Sequence, residues 1–110
     1  MKRVYVAGPY TAGDPCVNTH AAIAMGNELL DYGFAPFVPH MSHFWHTVTP
    51  RPYEDWMGLD LAWVVAADAV LRLPGASAGA DREVAAAKAA GVPVFGDIED
   101  LITHFRGKAA

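Results

Sequence analysis

Four short, uninterrupted apolar runs, separated by longer segments with helical signals, constrain the fold of this chain most. We predict strands at residues 4–7, 34–38, 69–73 and 92–95. Runs that do not alternate with polar residues are typical of strands that are covered on both faces. Strands that alternate with helices predict a parallel sheet with right-handed crossovers. The sequence therefore predicts an α/β layer structure in which helices cover both faces of one parallel sheet.

Capping residues and glycines mark the predicted helices. Asp14 and Pro15 suit the N-cap and first position of a helix that ends before Gly33. The predicted helices span residues 15–32, 53–67, 77 or 79 to 90, and 97–107. Between two of them, residues 40–52 (HMSHFWHTVTPRP) are predicted to form a long, aromatic, histidine-rich loop.

The strand pattern predicts a small doubly wound parallel sheet, flavodoxin-like or Rossmann-like, with strand order 2-1-3-4. Ligands of such sheets bind outside the carboxyl ends of the strands, where the strand order reverses. In this order the loops at residues 7–10 and 74–79 follow the two central strands, and both contain glycine. We therefore expect these two loops to meet at a ligand site.

Length and composition exclude several classes of protein. The chain has 110 residues, 53% of them hydrophobic, which predicts one domain over residues 1–106 with a loose C-terminal tail at 107–110. A net charge of −4 argues against binding to a nucleic acid polymer. No apolar stretch approaches the roughly 20 residues of a membrane span, and no signal peptide is recognisable. Cys16 alone cannot form an internal disulfide, so we expect a cytoplasmic protein without membrane contacts.

Glu83 is a candidate nucleophile. It is predicted to lie in the first turn of a helix, where the helix dipole favours the ionised form. Its neighbours at three and four positions are small: Gly79, Ala80, Ala86 and Ala87. We therefore expect an exposed, ionised, uncrowded carboxylate beside the pocket, as a nucleophile requires. The alternative is that Glu83 serves only the helix dipole.

Asp60 is a candidate general acid. Its helical neighbours at three and four positions are all apolar: Trp56, Met57, Trp63 and Val64. Burial on such a face would raise the pKa of the carboxyl group, which suits a proton donor. A purely structural hydrogen bond, to a backbone group or to Tyr53, is the alternative. Two carboxyl groups in different environments match the division of roles in glycoside hydrolysis.

Other side chains suit ligand binding. Ser77 and the amides after it could hold a phosphate at a helix N-terminus, or Ser77 could be a plain N-cap. The chain has neither a Walker A lysine nor a GxGxxG motif. Tyr10, Phe44 and Trp45 could stack on a nucleobase, or could belong to the core or a subunit interface.

Three histidines repeat at intervals of three residues: His40, His43 and His46. They could bind a metal ion. No acidic residue lies among them, however, and their aromatic neighbours favour a polar and aromatic lid. We therefore predict no metal site.

Three motifs occur in order: VYVAGPY at 4–10, LDLAWVVAADAVLRLPG at 59–75 and SAGADREVAAAKAAGVPVF at 77–95. Together they resemble the nucleoside 2-deoxyribosyltransferase-like superfamily. The resemblance is closer to its short bacterial and phage domains, most of which have no assigned activity. It covers nearly the whole chain.

The resemblance implies a role for each matching residue. Glu83 matches the glutamate that attacks C1′ of the deoxyribose, and Tyr5 matches the tyrosine that holds it. Asp60 matches the aspartate that protonates or binds the leaving base. Ser77 matches the serine that relatives hydrolysing nucleoside 5′-monophosphates use for the phosphate. Gly8, Pro9 and Tyr10 match the loop that lines the nucleoside pocket. To these and Ser77 we add three candidate substrate-binding residues from the chain's own pattern: Gly79 in the second glycine-containing loop, and His43 and Trp45 in the aromatic, histidine-rich segment.

The chain departs from these relatives at two places. Thr11 stands where the monophosphate hydrolases usually carry an arginine, so a phosphate would need another cation, Arg51 or Arg82. Many relatives also complete the pocket with an Asn or Ser from a neighbouring subunit, near the C-terminus. The ending HFRGKAA has no equivalent, and residues 40–52 are the candidate replacement.

These observations lead to a hypothesis and an alternative. The hypothesis is an N-glycosidase or 2-deoxyribosyltransferase that acts on a nucleoside or its 5′-monophosphate and needs no metal or organic cofactor. The alternative is a nucleotide-binding or sensing module without turnover. Both have a small-molecule nucleoside or nucleotide as ligand. The abundance of aromatic residues and the resemblance imply a homodimer or higher homo-oligomer.

Overall fold

The computed structural model describes residues 1–106 and contains one parallel sheet between two layers of helices. The strands are β1 (Arg3–Ala7), β2 (Ala35–Phe37), β3 (Ala69–Arg72) and β4 (Val94–Phe95). The helices are α1 (Pro15–Asp31), α2 (Ser42–Val48), α3 (Tyr53–Val64), α4 (Ala78–Ala89) and α5 (Ile98–Arg106), with a 3-10 turn at Pro39–Met41.

The strand order β2-β1-β3-β4 confirms the predicted order 2-1-3-4. All three strand pairs are parallel, and Tyr5 in β1 pairs with Phe37 in β2 and Val70 in β3. β1 and β3 are therefore the central strands. Their carboxyl ends lie side by side at one edge of the sheet.

Apolar side chains cover both faces of the sheet, as the uninterrupted strands predicted. Successive side chains of a strand point to opposite faces. Val4 and Val6 accordingly pack with Leu29 of α1 and Leu101 of α5 in one core cluster. The cluster on the other face comprises Tyr5, Ala7, Val64, Val70, Ala80, Ala87 and Val92. The site described below lies on the side of this second cluster, which joins β1 to α3 and α4.

The predicted caps form at the ends of α1. The Asp14 carboxylate accepts hydrogen bonds from the Cys16 and Val17 amides, at 2.9 and 3.3 Å. The helix stops before Gly33, whose φ of +86° suits a residue without a side chain. Local sequence thus sets both ends of the longest helix.

The prediction of a loop at residues 40–52 is wrong. Residues 42–48 form helix α2, directly after the 3-10 turn. The segment lies between Pro39 and Pro50 and is rich in aromatic, histidine and β-branched residues, which are weak helix formers. None of the α2 side chains is buried, so contacts with α3 and the β1 loop, rather than a core face, hold the helix in place.

Three other boundaries differ by a few residues. Helix α3 ends at Val64 rather than at 67, because residues 65–67 form turn hydrogen bonds. Strand β4 begins at Val94 rather than at 92, since Pro93 has no amide to donate. β2 is three residues long rather than five.

The predicted C-terminal tail, residues 107–110, lies outside the described residues. Within residues 1–106, no helix has the length and apolar character that a bilayer span requires.

Candidate active site

The two predicted loops contact each other at the carboxyl edge of the sheet. Gly75, in the loop after β3, has a φ of +113°, and a Cβ there would lie 2.8 Å from Pro9 Cγ in the loop after β1. A Cβ on Gly8 would approach Leu73 Cβ to 3.0 Å. Glycine at these positions therefore lets the two loops close against each other.

A cavity of about 640 Å³ lies beside these loops. Its walls come from the β1 loop, the 3-10 turn, α2, α3 and the beginning of α4. Seven predicted site residues line it: Gly8, Tyr10, His43, Asp60, Ser77, Gly79 and Glu83. Tyr5 lies directly behind Glu83, whereas Pro9 and Trp45 are outside the lining. The fold thus brings most of the predicted residues together.

Glu83 is buried, not exposed as the sequence suggested. Its residue surface is 5% exposed, and it lies in the second turn of α4 rather than the first. Ala80 and Ala87 lie on the same buried face. Their small side chains let the helix approach the sheet closely, which covers Glu83 instead of leaving space around it. Burial raises the pKa of this carboxyl group from about 4.5 to about 7.

Tyr5 orients the Glu83 carboxylate. The Tyr5 hydroxyl donates a hydrogen bond to Glu83 Oε2, and the tyrosine is fully buried in β1. Burial, followed by the neighbouring Glu83 charge, raises the pKa of Tyr5 far above its usual range, so the phenol stays protonated. Its ring stacks on Phe37, with centroids 5.6 Å apart. Tyr5 is therefore a rigid donor to one carboxylate oxygen.

Asp60 faces the same cavity from α3. Burial raises the pKa of its carboxyl group to about 7, in line with its apolar helical neighbours. Asp60 also acts on Glu83, since its negative charge helps to raise the pKa of Glu83. No side-chain hydrogen bond to the Asp60 carboxyl group occurs within residues 1–106, so the structural bond to Tyr53 does not form there.

The two carboxyl groups differ in what stabilises their ionised forms. Glu83 accepts the Tyr5 hydrogen bond, and the positive charge of Arg72 lowers its pKa further. Asp60 has neither kind of support, and burial alone shifts its pKa. Interacting acids titrate as a pair. When the pair holds one proton, we therefore place the proton on Asp60 and the negative charge on Glu83.

Comparison with models of protein families assigns the chain to a family. The model of a family described as Domain of unknown function (DUF4406) matches residues 2–96. The chain belongs to this family. A search of curated proteins finds no match for it.

The fold of this DUF4406 chain is shared with a solved enzyme. The structure is similar to that of a 2-deoxyribosyltransferase from the psychrotolerant bacterium Bacillus psychrosaccharolyticus, with a TM-score of 0.61 and 21% sequence identity. The match covers 91% of this chain and 78% of the other. At that identity the likeness concerns the fold, and the candidate site stands on its own geometry.

Histidine side chains attach the 3-10 turn and α2 to the rest of the site. His40 is buried, and its Nε2–H donates to the Pro9 carbonyl at 2.9 Å. Burial lowers the pKa of His40, so it stays neutral. His43 Nδ1 bonds to the Tyr10 hydroxyl. His46 bonds to groups around the start of α3, described below. Within residues 1–106, no three His, Cys, Asp or Glu side chains lie close enough to hold a metal ion.

Ser77, Gly79 and Trp45 occupy three different settings. Ser77 caps α4 by accepting a bond from the Ala80 amide at 3.1 Å, and it also lines the cavity. A Cβ on Gly79 would lie 3.0 Å from Tyr53 Oη, so glycine permits the contact between α3 and α4. Trp45 packs edge-on against Trp56, with centroids 5.1 Å apart, outside the cavity.

Sequence reasoning assigned no binding role to several residues of the cavity wall. They include Thr11, Ser42, Tyr53 and Trp56. Helical spacing carried a signal for two of them, because Tyr53 and Trp56 share a helix face with Asp60. Of the two arginines considered for a phosphate, Arg51 lines the cavity. Arg82 instead pairs with Glu54 through bonds of 2.7 and 3.2 Å, and it does not line the cavity.

Proposed function

We propose that this protein cleaves the N-glycosidic bond of a nucleoside or nucleoside 5′-monophosphate, with Glu83 as nucleophile. One observation carries the proposal: a buried carboxylate, fixed by Tyr5, faces an open cavity together with a second carboxyl group of raised pKa. The fold likeness adds support, since the similar enzyme is described as a biocatalyst for the synthesis of nucleosides.

In the first step the ionised Glu83 attacks the anomeric carbon of the sugar. A bond forms between a Glu83 oxygen and this carbon as the bond to the base nitrogen breaks, through an oxocarbenium-like transition state. The base departs with the electron pair of the broken bond. Asp60 supplies the proton that neutralises it, and a glycosyl ester on Glu83 remains. The Tyr5 hydrogen bond directs one carboxylate oxygen and leaves the other to react.

In the second step the ester is resolved. Water, or the nitrogen of a second base, attacks the anomeric carbon while Asp60, now ionised, takes the proton that this nucleophile loses. The Glu83 carboxylate leaves and is restored. Water gives hydrolysis and a base gives transfer, so the occupant of the vacated base site decides the reaction. Neither step requires a metal ion or an organic cofactor.

Base release is the direct test. The protein would be incubated with a panel of ribo- and deoxyribonucleosides and their 5′-monophosphates, and free base would be followed by chromatography. We expect release by the unmodified protein, and a loss of at least about a thousandfold in Glu83→Gln. Glu28→Gln, which changes an exposed glutamate of α1, is the matched control.

Two results would contradict the proposal. One is unchanged release in Glu83→Gln. The other is binding of a nucleotide by the unmodified protein with no release of base from any compound. The second result would favour a nucleotide-binding or sensing module, in which Glu83→Gln leaves affinity almost unchanged.

We also propose that the chain forms a homodimer or a higher homo-oligomer. Large apolar side chains of α2 and α3 are about half exposed or more in the single chain, among them Phe44, Trp45 and Trp63. Such side chains are typical of interfaces when they cluster. Sedimentation velocity would test the proposal, and a strict monomer at micromolar concentration would contradict it.

A further inference from the structure

The surroundings of His46 determine which ring nitrogen carries its proton. His46 Nδ1 lies 2.9 Å from the indole nitrogen of Trp56 and 3.2 Å from the backbone nitrogen of Arg51. Both of these groups can only donate hydrogen bonds. Nδ1 must therefore be the acceptor, and the proton of the neutral ring resides on Nε2.

This tautomer leaves an N–H donor on the cavity wall. His46 lines the cavity, and Nε2 has no hydrogen-bond partner within the described residues. His43, one helical turn earlier, also lines the cavity, and its Nδ1 is bonded to the Tyr10 hydroxyl. The Nε2 atoms of both rings thus remain for a ligand.

Arg51 adds a positive charge at the same wall. Its Nε and Nη2 atoms contact one carboxylate oxygen of Asp55, at 3.2 and 3.1 Å. A guanidinium has five N–H donors, so most of them remain free. The pair is about half exposed, and exposed ion pairs are weakly held. The guanidinium can therefore turn toward an anion without a large cost.

Groups of the reverse polarity also line the cavity. Glu83 from α4 and Asp60 from α3 supply two carboxyl groups. Ser77 accepts a hydrogen bond from the Ala80 amide at the start of α4, and its hydroxyl hydrogen remains available as a donor. Arg72 and Arg82 are not among the residues that line the cavity. Arg51 is therefore the arginine of the cavity lining that an anion would meet, and its backbone nitrogen is bonded to His46.

From these ring donors and the charge of Arg51 we propose that His46 and Arg51, assisted by His43, form the binding site for a phosphate monoester. The identity of the ligand rests on the proposed function: the phosphate is the 5′-phosphate of a nucleoside monophosphate. Its sugar lies at Glu83 and its phosphate under α2. N–H donors and a guanidinium are the groups that bind phosphate most strongly.

Binding measurements test this site without turnover. Isothermal titration calorimetry would be performed in a Glu83→Gln background with the four common 2′-deoxynucleoside 5′-monophosphates, their nucleosides and inorganic phosphate. Arg51→Gln is compared with Arg82→Gln, because each arginine pairs with a carboxylate of α3 and only Arg51 lines the cavity. His46→Asn is compared with His20→Asn on the exposed side of α1.

Asparagine at position 46 keeps an acceptor near the Nδ1 position and removes the Nε2 donor. We expect Arg51→Gln and His46→Asn to weaken monophosphate binding by about tenfold or more, the range of a lost charge-assisted hydrogen bond. Nucleoside affinity should change by less than about twofold. Arg82→Gln and His20→Asn should change neither. Unaltered nucleoside affinity in His46→Asn also shows that the cavity wall remains folded.

Three results would overturn the inference. The first is a monophosphate affinity in Arg51→Gln and His46→Asn that equals the affinity of the matched controls. The second is a loss of monophosphate affinity that occurs in Ser77→Ala and in none of these variants. The third is that neither the monophosphates nor inorganic phosphate bind. The proposed function fails separately, in the base-release assay with an intact Glu83. A chain that binds monophosphates through Arg51 but releases no base would retain this site and lose the proposed activity.

Discussion

Two regions that enclose the cavity, here named the floor and the roof, are stabilised by different interactions. The floor comprises β1, β3 and α4, where Tyr5, Val70 and Ala80 are at most 1% exposed. The roof is α2, in which no side chain is buried and Val48 is 83% exposed. Burial of apolar surface holds the floor, whereas a few side-chain hydrogen bonds and aromatic contacts hold the roof.

This difference assigns different tasks to the two regions. The carboxylate proposed to react lies on the buried elements, as the fixed geometry of catalysis would require. The groups proposed to recognise phosphate lie on the roof, which can be altered at little cost to the fold. The predictions below test whether the floor and the roof are separable in this way.

Among variants that keep both carboxyl groups, Tyr5→Phe should have the largest effect on base release. It removes the hydrogen bond that favours ionised Glu83 but keeps the ring that stacks on Phe37. We expect base release to fall by about a hundredfold, the range of a lost bond to a charged group. The acid limb of the pH–rate profile should move to higher pH, because the pKa of Glu83 rises. Phe37→Leu, which alters the stacking alone, is the control, and an unmoved acid limb in Tyr5→Phe would contradict the assigned role.

Gly75→Ala should lower the free energy of unfolding by about 2 kcal/mol. The new Cβ would lie 2.8 Å from Pro9 Cγ, and the residue has a positive φ. Gly58→Ala in α3 is the matched change, since a Cβ there meets nothing within 4 Å. It should be neutral or stabilise by up to about 1 kcal/mol. Denaturant unfolding measures both, and equal stability of the two variants would show that the contact between the loops is unimportant.

The buried carboxyl groups should make stability depend on pH. The pKa of Glu83 is about 7 in the folded chain and about 4.5 ordinarily. Between these values the folded state binds more protons than the unfolded state, so the free energy of unfolding falls as pH rises. We expect a fall on the order of 1 kcal/mol or more between pH 5 and pH 8.

Glu83→Gln should reduce this dependence to the part that Asp60 contributes, and Glu28→Gln should leave it unchanged. Thermal unfolding across the pH series provides the measurement. A slope that is unchanged in Glu83→Gln would show that Glu83 is not the group responsible.

Val48→Ala on the roof should have the smallest effect, within about 0.5 kcal/mol of the unmodified chain in denaturant unfolding. Its side chain is almost fully exposed and contributes little to folding. Leu29→Ala in the core should cost about 2–5 kcal/mol by comparison. A loss above about 1 kcal/mol in Val48→Ala would mean that α2 is packed against something, and a second copy of the chain is then the first candidate.

The sequence predicts the floor well and the roof poorly, for a physical reason. The strand order and the meeting of the two glycine-containing loops follow from uninterrupted apolar runs and local turn residues, which the sequence displays directly. Helix α2 depends instead on the bonds from His46 to Trp56 and Arg51, which exist only once α3 is in place. Its residues have weak helix propensity by themselves.

Glu83 illustrates a second kind of error. From the sequence alone, the small residues around Glu83 predict space beside an exposed carboxylate. In the folded chain they let α4 approach the sheet, and the carboxylate becomes buried. Sequence neighbours report what surrounds a residue on its own helix, but they do not report how closely the next layer packs against it.

The interval of three residues between His40, His43 and His46 has a consequence for the length of this segment. Each histidine contacts a different anchor: Pro9, Tyr10 and the start of α3. Each residue of an α-helix advances the side-chain direction by about 100°. One residue inserted or deleted between two of the histidines would rotate everything beyond it away from its anchor. Single substitutions can be accommodated here one at a time, whereas a change in chain length would detach the segment.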